Sequence, residues 1–275
     1  MKVNVIELNA HYPVKGGTLK CIAMESPWSD GHEDWKRPAV VIAPGGGYTH
    51  VSKREGEPIA LSFLEKGFQA FILTYVCSPE ARYPEQLIEL ASAVDYVRKH
   101  ADEYSVNPNE VFVIGFSAGG HLAACTGTLW SHACLEEYLD QNREIYRPNA
   151  MFLAYPVINV ASHKGSYLNL FSQREEDLTK EMQDLLNLEN QVTKGTPPTF
   201  LWHTTADSVV PAKASLQFAL ALAEKKIPYE IRVWTGDRHG TGLGNYVTEP
   251  KHAPLEDHAC AAWVKDSVDF FFKTV

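Results

Sequence analysis

Along the chain, short apolar runs rich in β-branched and aromatic residues alternate with longer stretches in which apolar residues recur every three or four positions. Two β-rich segments come first, over residues 3–8 and 19–24, separated by the turn-forming "VKGG". After the polar "SPWSDGHEDWKRP", the run "AVVIAP" (39–44) is continuously apolar, as a strand buried on both faces of a parallel sheet must be. A helix is expected over 58–66, capped by Gly67, and then the strand "FQAFILTYV" (68–76). Leu87, Leu90, Ala91, Val94 and Val97 lie at helical spacing within 84–104. The strand "VFVIGFS", a helix over 118–129, and the strands "NAMFLAYPV" (149–157) and "TFLWHTTAD" (199–207) follow. The helix "AKASLQFALALAEKK", the strand "YEIRVWTG" and a closing helix over 256–273 complete the series. This alternation predicts an α/β fold, a mostly parallel, doubly wound sheet with helices on both faces, in one domain spanning 1–275.

One segment breaks the rhythm. Residues 159–195 are polar and partly helical ("REEDLTKEMQDLLNLENQV") and too long for an ordinary connection, so they read as a cap-like insertion. A solvated surface excursion is the alternative, since the acidic helix alone carries no chemistry.

Composition then removes several function classes. With 45% hydrophobic and 21% charged residues the chain resembles an ordinary soluble globular protein. Its net charge of -9, from 25 basic and 34 acidic residues, has no block of like charge, which argues against nucleic acid or an anionic membrane as partner. The N-terminus has no apolar region of signal-peptide length, and no run approaches the roughly eighteen apolar residues of a membrane span, so a cytoplasmic location is expected. Cys21, Cys77, Cys125, Cys134 and Cys260 are odd in number and form no CxxC pair, which suits reduced core thiols better than a disulfide frame or a metal site. No metal or organic cofactor is required by any motif; a second copy of the chain as partner is left open.

The chemistry concentrates at "FVIGFSAGGHL" (112–122). Gly115, Ser117 and Gly119 match G-x-S-x-G, with a strand directly before and a helix directly after, the context a nucleophilic serine on a sharp strand-to-helix turn requires. The helix N-terminus also aims free N–H groups at that turn, which favours an oxyanion. A serine hydroxyl needs a base, and the base an orienting carboxylate. Asp207 follows the strand "TFLWHTTAD", and His239 lies in the glycine-rich "GDRHGTGLG" just past "YEIRVWTG", so both can reach the C-terminal edge of the sheet. The rivals fit less well: His203 lies inside a strand, His121 on the helix after the serine, His252 and His258 follow no strand, and Asp237 is too near His239 in sequence. Gly45, Gly46 and Gly47, directly after the first buried strand, provide a loop without side chains where further oxyanion donors must come from.

Taken with these features, the span from Val40 onward resembles the α/β-hydrolase serine esterases, in particular the acetyl-esterase and acetylxylan or feruloyl esterase-like branch related to hormone-sensitive lipases. The blocks "PGGGY", "GFSAGGHLA", "PPTFLWHTTADSVVP" and "DRHGTGL" carry the resemblance, with Pro44 where such loops usually carry histidine. It implies Ser117 as nucleophile, His239 and Asp207 as its base and acid, and an oxyanion hole from the N–H groups of Gly46, Gly47 and Ala118. It also implies a small-molecule ester substrate, with a short acyl group on a sugar. Tyr48 is the expected substrate contact, with Tyr155, Trp202 and Tyr246 as further aromatics able to stack on a sugar face. The polar 159–195 segment disfavours long-chain lipids. A peptidase of the prolyl-oligopeptidase or acylaminoacyl type and a non-catalytic binding protein on the same fold remain as alternatives.

Overall fold

The computed structural model describes residues 1–25, 35–139, 142–236, 238–249 and 258–275. In chain order the main elements are β1 (Lys2–Glu7), β2 (Thr18–Ala23), β3 (Arg37–Ala43), α1 (Glu57–Glu65), β4 (Gln69–Thr74), α2 (Glu85–Lys99), β5 (Val106–Phe116) and α3 (Ala118–Thr128). They continue with α4 (Ala133–Glu136), β6 (Met151–Ala154), α5 (Lys164–Leu170), α6 (Lys180–Leu186), β7 (Thr199–Thr204), α7 (Lys213–Glu224), β8 (Tyr229–Trp234) and α8 (Trp263–Thr274). The strands form one eight-stranded sheet in the order β1-β2-β4-β3-β5-β6-β7-β8. Only the pairings of β2 with β1 and with β4 are antiparallel; every pairing from β4 through β8 is parallel.

The strand order places the functional end of the molecule. The chain runs outward from β3 to β4 and then crosses back to lay β5 on the other side of β3. Connections that leave adjacent strands in opposite directions open a crevice beyond their C-terminal ends, where ligands bind in open α/β sheets. Ala43 and Gly115, the last paired residues of β3 and β5, are in register. The loops that follow, 44–52 and Ser117, therefore start side by side.

Strand alternation sends side chains into two apolar layers. Val41, Val113 and Leu153 face α2, α3 and α7, where Leu90, Val94, Leu122 and Phe218 lie. Val40, Ile42, Phe112, Ile114 and Phe152 face α1 and α8, where Phe63, Trp263 and Phe271 lie. In that second layer Phe112 stacks obliquely on Phe152 at 4.4 Å and on Phe271 at 5.2 Å between ring centroids. Both sheet faces are thus sealed, which is why the central strands read as uninterrupted apolar runs.

The doubly wound sheet agrees with the expectation; the bounds of two helices differ, and the burial of the 159–195 segment removes one of its two readings. The helix expected over 84–104 stops at Lys99 and residues 100–105 turn the chain into β5, which begins at Val106, earlier than the apolar run alone indicated. The closing helix starts at Trp263 after a 3-10 turn, Ala259–Ala262, and the expected start at residue 256 lies outside the described residues. The 159–195 segment is not a solvated excursion: Tyr167, Leu170, Leu186 and Leu188 join the main apolar cluster, and the Tyr167 hydroxyl donates to the Leu186 carbonyl at 3.0 Å. Among the described residues no helix is long and apolar enough to cross a membrane.

Candidate active site

Ser117 sits between β5 and α3 with φ 53° and ψ -116°, a left-handed conformation that side chains rarely adopt. Close packing on both sides enforces it. A Cβ on Gly119 would lie 2.1 Å from the Ala43 carbonyl oxygen and 2.3 Å from that of Pro44, so α3 can meet the end of β3 only through a glycine. The Ser117 N–H donates to the Ala154 carbonyl at 3.0 Å, which ties the turn to β6.

Asp207 and His239 arrive from the loops that follow β7 and β8. His239 Nε2 lies 2.7 Å from Ser117 Oγ, and His239 Nδ1 lies 2.7 Å from Asp207 Oδ2. Asp207, whose side chain is fully buried, accepts at Oδ1 from the N–H groups of Val209 at 2.9 Å and Val210 at 3.0 Å. Burial alone would raise its pKa, but hydrogen bonds from His203 and His239, the charge of His239 and the Val210 N–H outweigh it and hold the carboxyl well below the usual carboxylate range. A hydroxyl, an imidazole and a buried carboxylate in one hydrogen-bonded line can pass the hydroxyl proton to the imidazole as the oxygen attacks an electrophile.

The three glycines after β3 have separate positions. The Gly45 N–H donates to Glu55 Oε2 at 2.9 Å and is already engaged. Gly46 (φ 128°) and Gly47 (φ 62°) turn the loop back; a Cβ on Gly46 would fall 1.9 Å from the His50 carbonyl oxygen, which no other residue could tolerate. Gly47 faces the 159–195 segment: Asn169 Nδ2 donates to its carbonyl at 2.8 Å, and a Cβ there would meet Asn169 and Ser166 at 3.9 and 4.0 Å. Ala118 is the first residue of α3, so its N–H has no partner within the helix.

The structure corrects the expectation for Tyr48. The residue has a positive φ (63°), is 1% exposed and its hydroxyl lies 2.8 Å from His121 Nδ1, so it cannot stack on a ligand. Tyr155 and Trp202 are buried as well, while Tyr246 is exposed. His121 meets the Tyr48 hydroxyl through Nδ1, and burial pushes its pKa down to about 4. His258 pairs with Glu249 at 3.1 Å, and Asp237 and His252 lie outside the described residues.

Three contributions escaped the sequence. His203, expected as a packed strand histidine, lies 2.8 Å through Nε2 from the Val210 carbonyl, which can only accept, so Nε2 carries the proton; the same atom lies 3.3 Å from Asp207 Oδ2. From the 159–195 segment, His163 stands near enough to His239 and Asp207 to feel both, its pKa lowered by burial and then by the His239 charge. Glu55, in the charged stretch "SKREGEP", is buried beneath the glycine loop.

Comparison with known proteins gives concordant matches. The sequence model of the BD-FAE family matches residues 29–222. Endo-1,4-beta-xylanase B of Butyrivibrio fibrisolvens is 35% identical over 223 residues, 78% of this chain and 34% of its own length. The acetylxylan esterase of Xylanibacter ruminicola is 28% identical over 214 residues, 76% of this chain and 42% of its own length. The chain thus spans less than half the length of either. Among solved structures, an acetyl ester-xyloside bifunctional hydrolase from Caldicellulosiruptor lactoaceticus superposes with a TM-score of 0.82 at 31% identity, covering 98% of this chain and 96% of that one.

Proposed function

The chain belongs to the BD-FAE family and has the α/β-hydrolase fold, and from that premise we propose that it is a serine carboxylesterase acting on short-chain esters, above all acetyl esters of sugars or xylo-oligosaccharides. The observation that carries this reading is the line Ser117 Oγ, His239, Asp207, with 2.7 Å at each step. His239 Nε2 takes the Ser117 proton as Oγ attacks the ester carbonyl, and the developing oxyanion is met by the N–H groups of Ala118, Gly46 and Gly47. The protonated imidazole then gives its proton to the departing alcohol, and water, activated by the same nitrogen, releases the acid from Ser117.

The sugar part of the reading rests on two supports. The relatives include an acetylxylan esterase and an acetyl ester-xyloside hydrolase. Asn169 beside Gly47 and half-buried His163 near His239 offer polar groups, suited to a hydroxylated alcohol and poorly suited to a lipid chain. The five unpaired cysteines fit a reducing compartment such as the cytoplasm. A chain-length series of p-nitrophenyl esters, run beside acetylated xylo-oligosaccharides and aminoacyl nitroanilides, tests the proposal. Highest kcat/KM on acetyl esters, with acetate released from the oligosaccharides, is expected; a preference for the nitroanilides would replace the esterase by a peptidase.

A further inference from the structure

Glu55 ends the 3-10 turn Lys53–Glu55 and is 2% exposed. Both of its oxygens accept. Oε2 takes the Gly45 N–H at 2.9 Å, and Oε1 takes the Tyr155 hydroxyl at 2.6 Å. The Tyr155 oxygen in turn accepts the Gly242 N–H at 3.0 Å, so its own proton is directed at Glu55. Gly242 belongs to the loop that carries His239, and its carbonyl accepts the Trp263 Nε1–H at 2.9 Å. The Tyr155 ring meets the His239 imidazole edge-on, 5.0 Å between centroids at 67°.

The carboxylate also stands directly behind the serine. A Cβ on Gly45 would fall 2.8 Å from Glu55 Oε2 and 3.2 Å from Ser117 Cβ, so one glycine separates the two side chains. The neighbouring Arg54 touches the histidine loop independently: a Cβ on Gly240 would lie 3.0 Å from its Nη2.

We propose that Glu55 is a positioning residue that sets two parts of the site together: the oxyanion loop through Gly45, and the His239 loop through Tyr155 and Gly242. The inference rests on the reading of Ser117 and His239 as nucleophile and base. Its chemical basis is the acceptor count. Two donors converge on Glu55, a pattern a carboxylate satisfies fully, whereas glutamine offers one acceptor and one donor in the same volume. Tyr155 must likewise donate and accept at once, which phenylalanine cannot do. Either change leaves the loops packed but lets them shift relative to one another, and displacements of ångström scale at a reacting centre cost on the order of 100-fold in rate.

The test uses the Glu55→Gln, Tyr155→Phe and double variants of the full chain on p-nitrophenyl acetate, with kcat and KM separated and thermal midpoints recorded. Each single variant is expected to lose about 10- to 100-fold in kcat with KM changed less than about twofold, and the double variant to lose little more than the worse single one, as members of one network do. Wild-type kcat in both single variants, or additive losses in the double one, would overturn the proposal. A loss that tracks only the fraction of folded protein would also overturn it, reducing Glu55 to a structural residue. If Glu55→Gln does not fold, Tyr155→Phe, which removes a single oxygen, decides alone. Ser117→Ala in the same assay separates the two levels: if it keeps wild-type activity the underlying reading has failed, and if it is inert the variants report on Glu55.

Discussion

Replacing Asp207 by Asn changes one atom's chemistry and reverses the proton logic of the site. In the native arrangement Oδ2 fixes the proton on His239 Nδ1, leaving the Nε2 lone pair for Ser117. An asparagine amide can keep that tautomer only by turning its oxygen toward His239, which sets its NH2 against the N–H groups of Val209 and Val210, 2.9 and 3.0 Å from Oδ1. Each N–H left unsatisfied in a buried place costs about 1–3 kcal/mol. The His203 N–H, 3.3 Å from Oδ2 and already bonded to the Val210 carbonyl, offsets less than one of these. The unproductive orientation is thus favoured by about 1–5 kcal/mol, which at 1.36 kcal/mol per decade is a loss of about fivefold to about 5,000-fold in kcat/KM. In that orientation His239 presents Nε2–H to Ser117 and cannot take its proton. The assay is steady-state hydrolysis of p-nitrophenyl acetate at pH 8, beside a thermal melt to show that the variant is folded. A loss below about fivefold in folded Asp207→Asn would refute the assignment of Asp207 as the group that orients His239.

Other expectations follow from the same contacts. Gly119→Ala would push a methyl group into the Ala43 and Pro44 carbonyls, backbone that cannot rotate away, so a destabilisation of about 1–3 kcal/mol and a fall in kcat are expected from melts and kinetics. Asn169→Ala releases the Gly47 carbonyl and should raise KM for acetylated xylo-oligosaccharides more than for p-nitrophenyl acetate; equal effects would count against a role for the insertion in the alcohol site. Glu89, on α2, accepts the Val76 N–H, but burial raises its pKa from 4.5 to about 8. Because the folded chain holds this proton more tightly than the unfolded one, its contribution is full below about pH 4.5 and is lost as pH rises toward 8. Glu89→Gln should therefore flatten the fall in unfolding free energy across that window, by up to about 1.36 kcal/mol per pH unit, in urea titrations; an unchanged slope would show that Glu89 does not titrate there.

How far residues could be read before folding depends on how local their constraint is. The turn at Ser117 demands small residues within two positions, and its strand and helix lie on either side, so a short stretch of sequence contains the whole requirement. Asp207 and His239 were legible because strand ends in a parallel sheet share one edge. Glu55 and His203 were not, because what distinguishes them is burial against residues about a hundred positions away in one case and against the following loop in the other. Tyr48 misled because its ring is buried in the core and its hydroxyl is bonded to His121 on α3, contacts made 73 positions away. The 159–195 segment looked polar because Tyr167, Leu170, Leu186 and Leu188 are spread over two short helices and a turn, too scattered to make one apolar period.

The central claim is that Ser117 is an activated nucleophile, and covalent labelling tests it most directly. The protein is treated with a fluorophosphonate at neutral pH, digested, and the modified peptide sequenced by mass spectrometry. One phosphonyl group on Ser117 is predicted, with no adduct on Ser117→Ala and strongly slowed labelling of Asp207→Asn. An unlabelled wild-type protein, or an adduct on another serine that persists in Ser117→Ala, would contradict the account.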